Sequence, residues 1–245
     1  MELYEVKILD IISVSNDVFT FILEKPEGLS WEPGAHMHVG LPGFMDKDPS
    51  DKELVRHMSI VTTPQQGVIG FTTRIPESCS TFKSQLSAME EGDRLTIFKI
   101  HSIMKLQEVD IPMVFLSMGI GMTSFYQMIL QYQNLTGRKH LTSVHIAKAN
   151  EHIYRDEIEA RQIEGIKLLW PDNREQFKNE INQLIRADLN AIEGAKKPIY
   201  YIVGSDVFLV DMIDRLIQSG ISSNRIVIDK KEEKRIPFFE KYMIG

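Results

Sequence analysis

The first hundred residues alternate between short apolar runs and turn residues. The runs are rich in Val, Ile, Phe and Thr, and Pro–Gly pairs at 33–34 and 42–43 separate some of them. Short strands at this spacing are typical of an antiparallel barrel. The predicted strands span residues 18–23, 36–41, 55–61, 68–75 and 94–100.

One helix interrupts the predicted strands of this first half. Phe82, Leu86 and Met89 recur at helical spacing, and Ser80 precedes them as the expected N-cap. The polar stretch at 44–53 is expected to form a longer hairpin loop.

From Pro112 onward the pattern changes to strands that alternate with helices. Strands are predicted at 113–117, 141–147, 199–203 and 226–228, and helices carry apolar residues at 125–135, 177–185 and 208–217. Thr123 is expected to cap the first helix, which Gly137 ends, and Gly220 closes the last. Such alternation predicts a parallel sheet covered by helices. We therefore expect two domains, an N-terminal antiparallel β-barrel at 1–105 and a C-terminal α/β parallel-sheet domain at 106–245.

Composition narrows the functional classes. A length of 245 residues suits two domains, and 28 basic against 34 acidic residues give a net charge of −6. This charge argues against nonspecific nucleic-acid binding, which depends on Lys and Arg. The single cysteine, Cys79, excludes an internal disulfide, a Cys-rich zinc site and an iron–sulfur cluster held by this chain alone. No apolar stretch is long enough to span a membrane and the N-terminus lacks a signal-peptide pattern, so we expect a cytoplasmic location.

The segment LVRHMSIVTTP at 54–64 carries the most informative chemistry. Arg56 and Ser59 lie three residues apart in an extended segment, where a ligand lying along the strand end can receive a guanidinium and a hydroxyl. The segment resembles the Arg-x-aromatic-Ser flavin motif of the ferredoxin–NADP reductase superfamily. The resemblance implies that Arg56 holds a flavin phosphate and that Ser59, the predicted catalytic residue, hydrogen-bonds near flavin N5, where hydride arrives. Met58, next to His57, stands where the family usually has an aromatic ring stacked on the flavin.

Two flanking segments support this resemblance. WEPGAHMHVGLP at 31–42 resembles the family's Pro-Gly strand that pairs beside the flavin strand. The hydroxyl-rich entry to the predicted helix resembles the family's Gly-x-x-Ser pyrophosphate site, because free amides at a helix start favour anions. Glu77 stands where the family has Gly, which leaves FAD and FMN both open. The flavin-binding set implied here is Thr73, Ser78, Ser80 and Thr81, together with Arg56, His57, Met58 and Ser59.

His36 and His38 raise the question of a metal site. Side chains two residues apart share one face of a strand, so both imidazoles could reach one ion. No third ligand is apparent from the spacing, and we predict that the protein has no metal site.

The segment SMGIGMT at 117–123 joins a predicted strand to a helix. Glycines at such a junction let a pyrophosphate approach the helix N-terminus. The segment resembles the family's Gly-Gly-x-Gly-x-Thr-Pro-Phe, with Met118 and Ser124 as departures. The resemblance implies that the nicotinamide nucleotide is bound by Gly119, Gly121, Met122 and Thr123.

A second strand end completes the implied nucleotide site. YYIVGS at 200–205 resembles the family's Tyr-x-Cys-Gly-Pro, which adds Gly204 and Ser205 to the binding set. Val203 replaces the cysteine that the family places close to the nicotinamide. Lys148 or Arg155 could pair with a 2′-phosphate, and the choice between NADPH and NADH stays open.

Phe238, Phe239 and Tyr242 cluster near the end of the sequence. In several family members a late aromatic ring covers the flavin face, which implies this role for Tyr242. Ordinary packing of the aromatic rings is the alternative interpretation.

Taken in order along nearly the whole chain, these motifs predict a flavin-dependent NAD(P)H oxidoreductase. FAD is the expected cofactor, with FMN as an alternative, and the electrons would pass to a separate carrier of the ferredoxin or flavodoxin type. Two other functions stay open: a reductase of diffusible flavin, and a non-catalytic NAD(P)H-binding regulatory module. The sequence contains neither a Gly-x-Ser-x-Gly nucleophile elbow nor a Walker loop, which disfavours an α/β-hydrolase and a P-loop enzyme.

Overall fold

A computed structural model describes residues 2–44, 53–104, 106, 111–132, 140–192 and 195–242. Contacts within the chain define two compact units. The first comprises Met1–Lys105 with Tyr126–Met128, and the second comprises Leu106–Phe125 with Ile129–Gly245.

The first unit is built on six antiparallel strands. They are β1 (Leu3–Ser15), β2 (Val18–Glu24), β3 (Ala35–Gly40), β4 (Val55–Ser59), β5 (Val68–Arg74) and β6 (Arg94–Ser102), in the order β4-β3-β6-β1-β2-β5. A bridge between Ile60 and Phe71 joins the two outer strands and closes the sheet into a barrel. The apolar residues of all six strands pack into one core with the helix α1 (Thr81–Ser87).

The strand β1 was not predicted from the sequence. It is 13 residues long, yet only Val6 and Ile8 are buried, and exposed Glu5 and Lys7 alternate with them. Such a strand carries too few apolar positions for a hydrophobic pattern to reveal it. Its place is fixed by pairing, since it hydrogen-bonds with β2 on one side and β6 on the other.

The second unit is a five-stranded parallel sheet with helices. Its strands are β7 (Met113–Met118), β8 (Leu141–Ile146), β9 (Ile166–Leu169), β10 (Ile199–Val203) and β11 (Ile226–Ile228). Its helices are α2 (Met122–Tyr132), α3 (Arg155–Ala160), α4 (Arg174–Leu189), α5 (Asp206–Gln218) and α6 (Glu232–Phe239). The strand order β11-β10-β7-β8-β9 reverses direction between β7 and β10. In open parallel sheets, ligands bind beyond the carboxyl ends of the strands at such a reversal.

The predicted fold class is confirmed, with corrections to single elements. The helix α2 begins at Met122 after a 3₁₀ turn, so Thr123 is a helical residue and not the cap; its hydroxyl donates to the carbonyl of Ile120 at 2.8 Å. Ser80 occupies the N-cap position of α1 but makes no side-chain capping bond. Sequence analysis also missed β9, α3 and α6, which are short or polar.

Some predictions fall outside the described residues. These are most of the loop at 44–53 and the helix end at Gly137. Gly220 follows α5 with a φ of +94°, as its predicted role requires. No helix among the described residues has the length and apolar character needed to cross a bilayer.

Candidate functional site

Arg56 lies at one edge of the barrel, on the outer strand β4. Its side chain is half-buried, and its guanidinium carbon lies 5.3 Å from the ring centroid of Phe82 on α1. One guanidinium nitrogen donates to the carbonyl of Val55 at 3.0 Å. The ring of Phe82 belongs to the barrel core, so the cation rests against a fixed surface beside the start of α1.

Two more cations lie near Arg56. Arg74 ends β5, and Lys83 follows on α1. Burial lowers the pKa of the Lys83 ammonium, and the positive charges of Arg56 and Arg74 lower it further, whereas Asp17 and Cys79 act in the opposite direction. Asp17 also pairs with Arg74, with an Nε to Oδ2 distance of 3.6 Å. An anion bound among these cations would offset their mutual repulsion, so the cluster Arg56–Arg74–Lys83 suits a phosphate group.

The rest of the flavin motif differs in exposure. Ser59 is half-buried at the end of β4 and His57 is exposed, whereas Met58 is only 8% exposed and packs in the barrel core. Thr73 is buried on β5, and exposed Ser78, Ser80 and Thr81 lead into α1. The hydroxyls at the start of α1 therefore face solvent near the cation cluster, while Met58 is held inside.

Four imidazoles gather where β3, β4 and β6 pair. The Nε2 atoms of His36 and His101 lie 3.1 Å apart, and the ring centroid of His57 lies 3.8 Å from that of His36 and 5.1 Å from that of His38. A bulge in β6, where Lys99 has a φ of +50°, places His101 opposite His36. Across the part of the chain that the structure describes, no group of three or more His, Cys, Asp or Glu residues is arranged to hold a metal ion.

In the second unit, the predicted glycine loop lies at the reversal between β7 and β10. A Cβ atom on Gly121 would lie 2.7 Å from the carbonyl oxygen of Val203, so only glycine lets the two strand ends come this close. Gly119 has a φ of +54° and open space around its Cα. From the sequence, we expected glycine at both positions because a pyrophosphate binds there. The structure shows a separate reason at Gly121, which is the close packing against Val203.

Gly204 and Ser205 follow β10 and begin α5. Ser205 is the N-cap, and its hydroxyl accepts a hydrogen bond from the amide of Phe208 at 3.3 Å. A Cβ atom on Gly204 would lie 2.5 Å from the Phe208 ring. At the end of β11, Asp229 accepts a hydrogen bond from Ser124 in the first turn of α2, and burial raises the pKa of its carboxyl. These contacts fix the loops at the carboxyl edge of the sheet.

A cavity of about 350 Å³ opens at this carboxyl edge. Met118 and Ile146, at the ends of β7 and β8, line it together with Ser205. Arg174 and Lys178, one turn apart on α4, supply positive charge, and the rings of Phe177 and Phe208 supply apolar surface. Asp211 adds one carboxylate, so the two cations leave a net positive charge, and a cavity of this size with aromatic walls suits a phosphorylated nucleotide.

Comparisons with known proteins identify the architecture. No family model matches the sequence, and no curated protein matches it either. Solved structures do match. A ferredoxin NADP⁺ reductase from Neisseria gonorrhoeae with bound FAD and NADP has a TM-score of 0.74 at 14% identity, over 94% of this chain and 98% of that one. The chain has the ferredoxin–NADP reductase fold.

Two further structures extend the likeness. The CS-b5R domains of human Ncb5or in the NAD⁺ form give a TM-score of 0.73 at 17% identity, over 94% of this chain and 70% of that one. The ferredoxin–NADP⁺ reductase from Plasmodium falciparum with 2′P-AMP gives a TM-score of 0.71 at 15% identity, over 92% of this chain and 95% of that one. The resemblance stated from the sequence motifs is thus confirmed at the level of the ferredoxin–NADP reductase fold.

Within this reductase fold, the predicted residues form one group on each unit. The structure adds Lys83 beside the first group, and it adds Arg174 and Lys178 in the cavity beside the second; the sequence analysis named none of the three. The sequence analysis named Lys148 or Arg155 as residues that could pair with a 2′-phosphate and left the choice open; Arg155 pairs with Glu159 at 3.3 Å, and neither residue lines the cavity. The available signal was the spacing of Arg174 and Lys178, which places two cations on one helical face behind the N-cap Asn173.

Tyr242 belongs to the second unit of the reductase fold. Its ring packs against the apolar core of that unit, and its hydroxyl donates to Oδ1 of Asp214 at 2.6 Å. Lys241 donates to the other oxygen of the same carboxylate at 2.6 Å.

Proposed function

We propose that this protein is a flavoprotein oxidoreductase that takes hydride from NADPH and passes electrons to a separate acceptor. The observation that carries the proposal is the pair of cationic sites on a reductase fold. Arg56, Arg74 and Lys83 lie together on the barrel, and Arg174 and Lys178 line the cavity of the parallel-sheet unit. Each site suits a phosphate-bearing ligand.

The first site is proposed to hold FAD. Arg56 would bind a flavin phosphate, with Lys83 and Arg74 sharing its charge and Ser78, Ser80 and Thr81 offering hydroxyls. The partial desolvation of the Lys83 ammonium, which lowers its pKa, supports this fit, because an anion would relieve the repulsion among the three cations. Solved structures of the same fold include a flavohemoglobin from Malassezia yamatoensis with bound FAD.

Bound flavin would supply the chemistry that side chains lack, namely accepting hydride and releasing single electrons. The residues of this chain would bind the flavin and orient it. Ser59, half-buried at the end of β4, is proposed to hydrogen-bond the reacting edge of the flavin ring. No acid–base residue is assigned, since hydride transfer itself needs none.

The second site is proposed to hold the nicotinamide nucleotide. Gly119, Gly121, Met122, Thr123 and Gly204 would face its pyrophosphate at the reversal of strand order. The cavity would take the adenosine part, with Arg174 and Lys178 pairing with a 2′-phosphate, and we therefore propose NADPH over NADH. The Plasmodium falciparum reductase of this fold was solved with 2′P-AMP.

The acceptor is proposed to be a carrier of the ferredoxin or flavodoxin type. This chain's one cysteine cannot ligate an iron–sulfur cluster by itself. Tyr242 is retained as the ring proposed to cover the flavin.

One observation favours reduction of diffusible flavin as a second candidate. Met58 is buried in the barrel core, so the residue that the motif assigns to stacking offers the flavin ring no exposed side chain. Flavin held mainly through its phosphates would exchange with solution more readily.

The test is the visible absorption spectrum of the purified protein without oxygen, before and after NADPH and then NADH. Flavin bands that bleach with NADPH support the proposal. A colourless protein that reduces added flavin supports the second candidate. A protein that binds no flavin after incubation with FAD and FMN overturns both and leaves a nucleotide-binding module.

A further inference from the structure

A cluster of three rings lies beside the cavity of the second unit. His145, on β8, is fully buried, and its Nδ1 shares a hydrogen bond with Oγ of Ser117 at 2.9 Å. The ring centroid of His152 lies 5.3 Å from that of His145 and 5.3 Å from that of Trp170. The ring centroids of His145 and Trp170 lie 5.9 Å apart, and all three ring pairs are edge-to-face. We call this the imidazole–indole cluster.

The cluster is rich in polar atoms that lack partners. Nε2 of His145, both ring nitrogens of His152 and Nε1 of Trp170 are buried, and none forms a hydrogen bond with another described residue. Close packing of three rings therefore holds the cluster together, with little help from directional bonds. Such packing tolerates neutral imidazoles, whereas an added positive charge has no acceptor within it.

The three rings come from the two segments that build the cavity. Ile146, which lines the cavity, directly follows His145, and His152 lies in the connection between β8 and α3. Trp170 directly follows β9 and precedes Arg174, the first residue of α4, by four positions. The rings thus fasten the end of β8 to the segment that delivers Arg174 to the cavity.

Burial and the neighbouring charges determine which of the two imidazoles, His145 or His152, is protonated first as the pH falls. Burial, together with the neighbouring His152, lowers the pKa of His145 to about 3. His152 is half-buried; burial and Arg155 lower its pKa, whereas Asp172 and Glu159 raise it. Acid therefore protonates His152 first, and its charge would be solvated best outside the ring cluster, toward Asp172 and Glu159.

We propose that the imidazole–indole cluster is a proton-sensitive clamp on the nucleotide cavity. With His152 neutral, the cluster holds the end of β8 and the start of α4 together, and Arg174 is in place for a phosphate. With His152 protonated, its ring leaves Trp170 and His145, and the cavity loses that fixed wall. This inference rests on the proposed nucleotide function of the cavity. Protonation of His152 should therefore lower the affinity of the cavity for the coenzyme in mild acid.

The experiment measures binding of 2′-phospho-AMP to the full chain by calorimetry between pH 8 and pH 5.5. The variant is His152→Gln, which removes the titrating group but keeps a polar side chain, and circular dichroism checks its fold. His140→Gln is the matched control, because His140 is an exposed imidazole just before β8. The phosphate of the ligand titrates equally in all three proteins, so differences between them report on the imidazole.

Because the pKa of His152 lies below that of ordinary histidine, we expect the affinity of the wild type and of His140→Gln to fall by a further factor of about 2–5 compared with His152→Gln over this range. Tryptophan emission in a Trp31→Phe background, where Trp170 is the remaining indole, gives a second readout without ligand. In this background it should change with a midpoint on the acid side of ordinary histidine, and with His152→Gln added this transition should vanish.

Parallel affinity profiles in all three proteins would overturn the clamp while leaving the nucleotide site intact. Absence of binding at every pH would overturn the nucleotide site itself, and the clamp with it. If His152→Gln does not fold, His152→Asn replaces it in the same comparison.

Discussion

The guanidinium of Arg225 donates to Oδ2 of Asp188 at 2.7 Å, and the side chain of Asp188 is fully buried. The same oxygen accepts a hydrogen bond from the hydroxyl of Tyr200 at 3.0 Å. Arg225 also donates to the carbonyl of Pro198 at 3.1 Å. These bonds connect the end of α4 with β10 and with the turn before β11, so one buried carboxylate joins three parts of the second unit.

Arg225→Ala should destabilise the second unit by about 3–5 kcal/mol, because it leaves the charge of Asp188 buried and unpaired. Urea unfolding followed by circular dichroism measures the effect. Lys241→Ala is the control, since 54% of the lysine side chain is accessible in its pair with Asp214, and its removal should have little effect on stability. Equal effects of the two substitutions would contradict the role assigned to the buried pair.

Stability should fall as pH drops below 6.5. His145 has a pKa of about 3 in the folded protein against 6.5 for the free side chain, so the unfolded chain binds the extra proton first. At pH 5 this difference corresponds to about 2 kcal/mol. His145→Asn keeps a polar atom near Ser117 but does not titrate, and its unfolding free energy should lose this pH-dependent part. His140→Asn should keep it; an unchanged profile in His145→Asn would show that His145 contributes none.

Arg56→Ala should weaken flavin retention by about 10–100-fold, since hydrogen bonds to charged groups contribute about 1.5–3 kcal/mol. The barrel should remain folded, because the guanidinium lies on the surface of the core and not within it. Flavin titration by fluorescence gives the affinity. Arg94→Ala is the matched control, as Arg94 is an exposed cation on β6 paired with Glu5. Retention equal to the wild type in Arg56→Ala would refute the assignment.

Arg174→Ala should raise the KM for NADPH by about 10–100-fold and change the KM for NADH little, because only NADPH carries a 2′-phosphate for the guanidinium to bind. Steady-state kinetics with both nucleotides measures the ratio. Lys167→Ala removes an exposed cation on β9, away from the cavity lining, and should leave the ratio unchanged. Equal losses with both nucleotides would mean that Arg174 does not contact the 2′-position.

Gly121→Ala should lower stability and nucleotide affinity more than Gly119→Ala does, although both glycines lie in one loop. At Gly121 the new Cβ would meet the backbone of Val203 at 2.7 Å, which forces the loop away from β10. At Gly119 the space is open and the cost is the positive φ alone, about 1 kcal/mol. Nucleotide affinity and thermal unfolding should therefore suffer more in Gly121→Ala. The reverse order would show that ligand approach at Gly119 outweighs packing at Gly121.

Periodic apolar positions made most of the fold predictable. The strands predicted at 199–203 and 226–228 have the same bounds in the structure, because a buried parallel strand is a continuous apolar run. The strand β1 was not predicted, since only Val6 and Ile8 of its 13 residues are buried. The candidate site residues Arg56, Ser59, Gly119 and Gly121 could be proposed from the sequence because each lies in a short motif whose residues are adjacent in the chain.

The sequence by itself determined the two-domain architecture and the order of the motifs, since both depend on residues close together in the chain. Only the tertiary structure brought together Arg56, Arg74 and Lys83, and only it placed Arg174 and Lys178 in the cavity and His145 beside His152 and Trp170. These groups come from strands and helices far apart in sequence. Their electrostatic and packing free energies depend on distances that exist only after the sheets have formed.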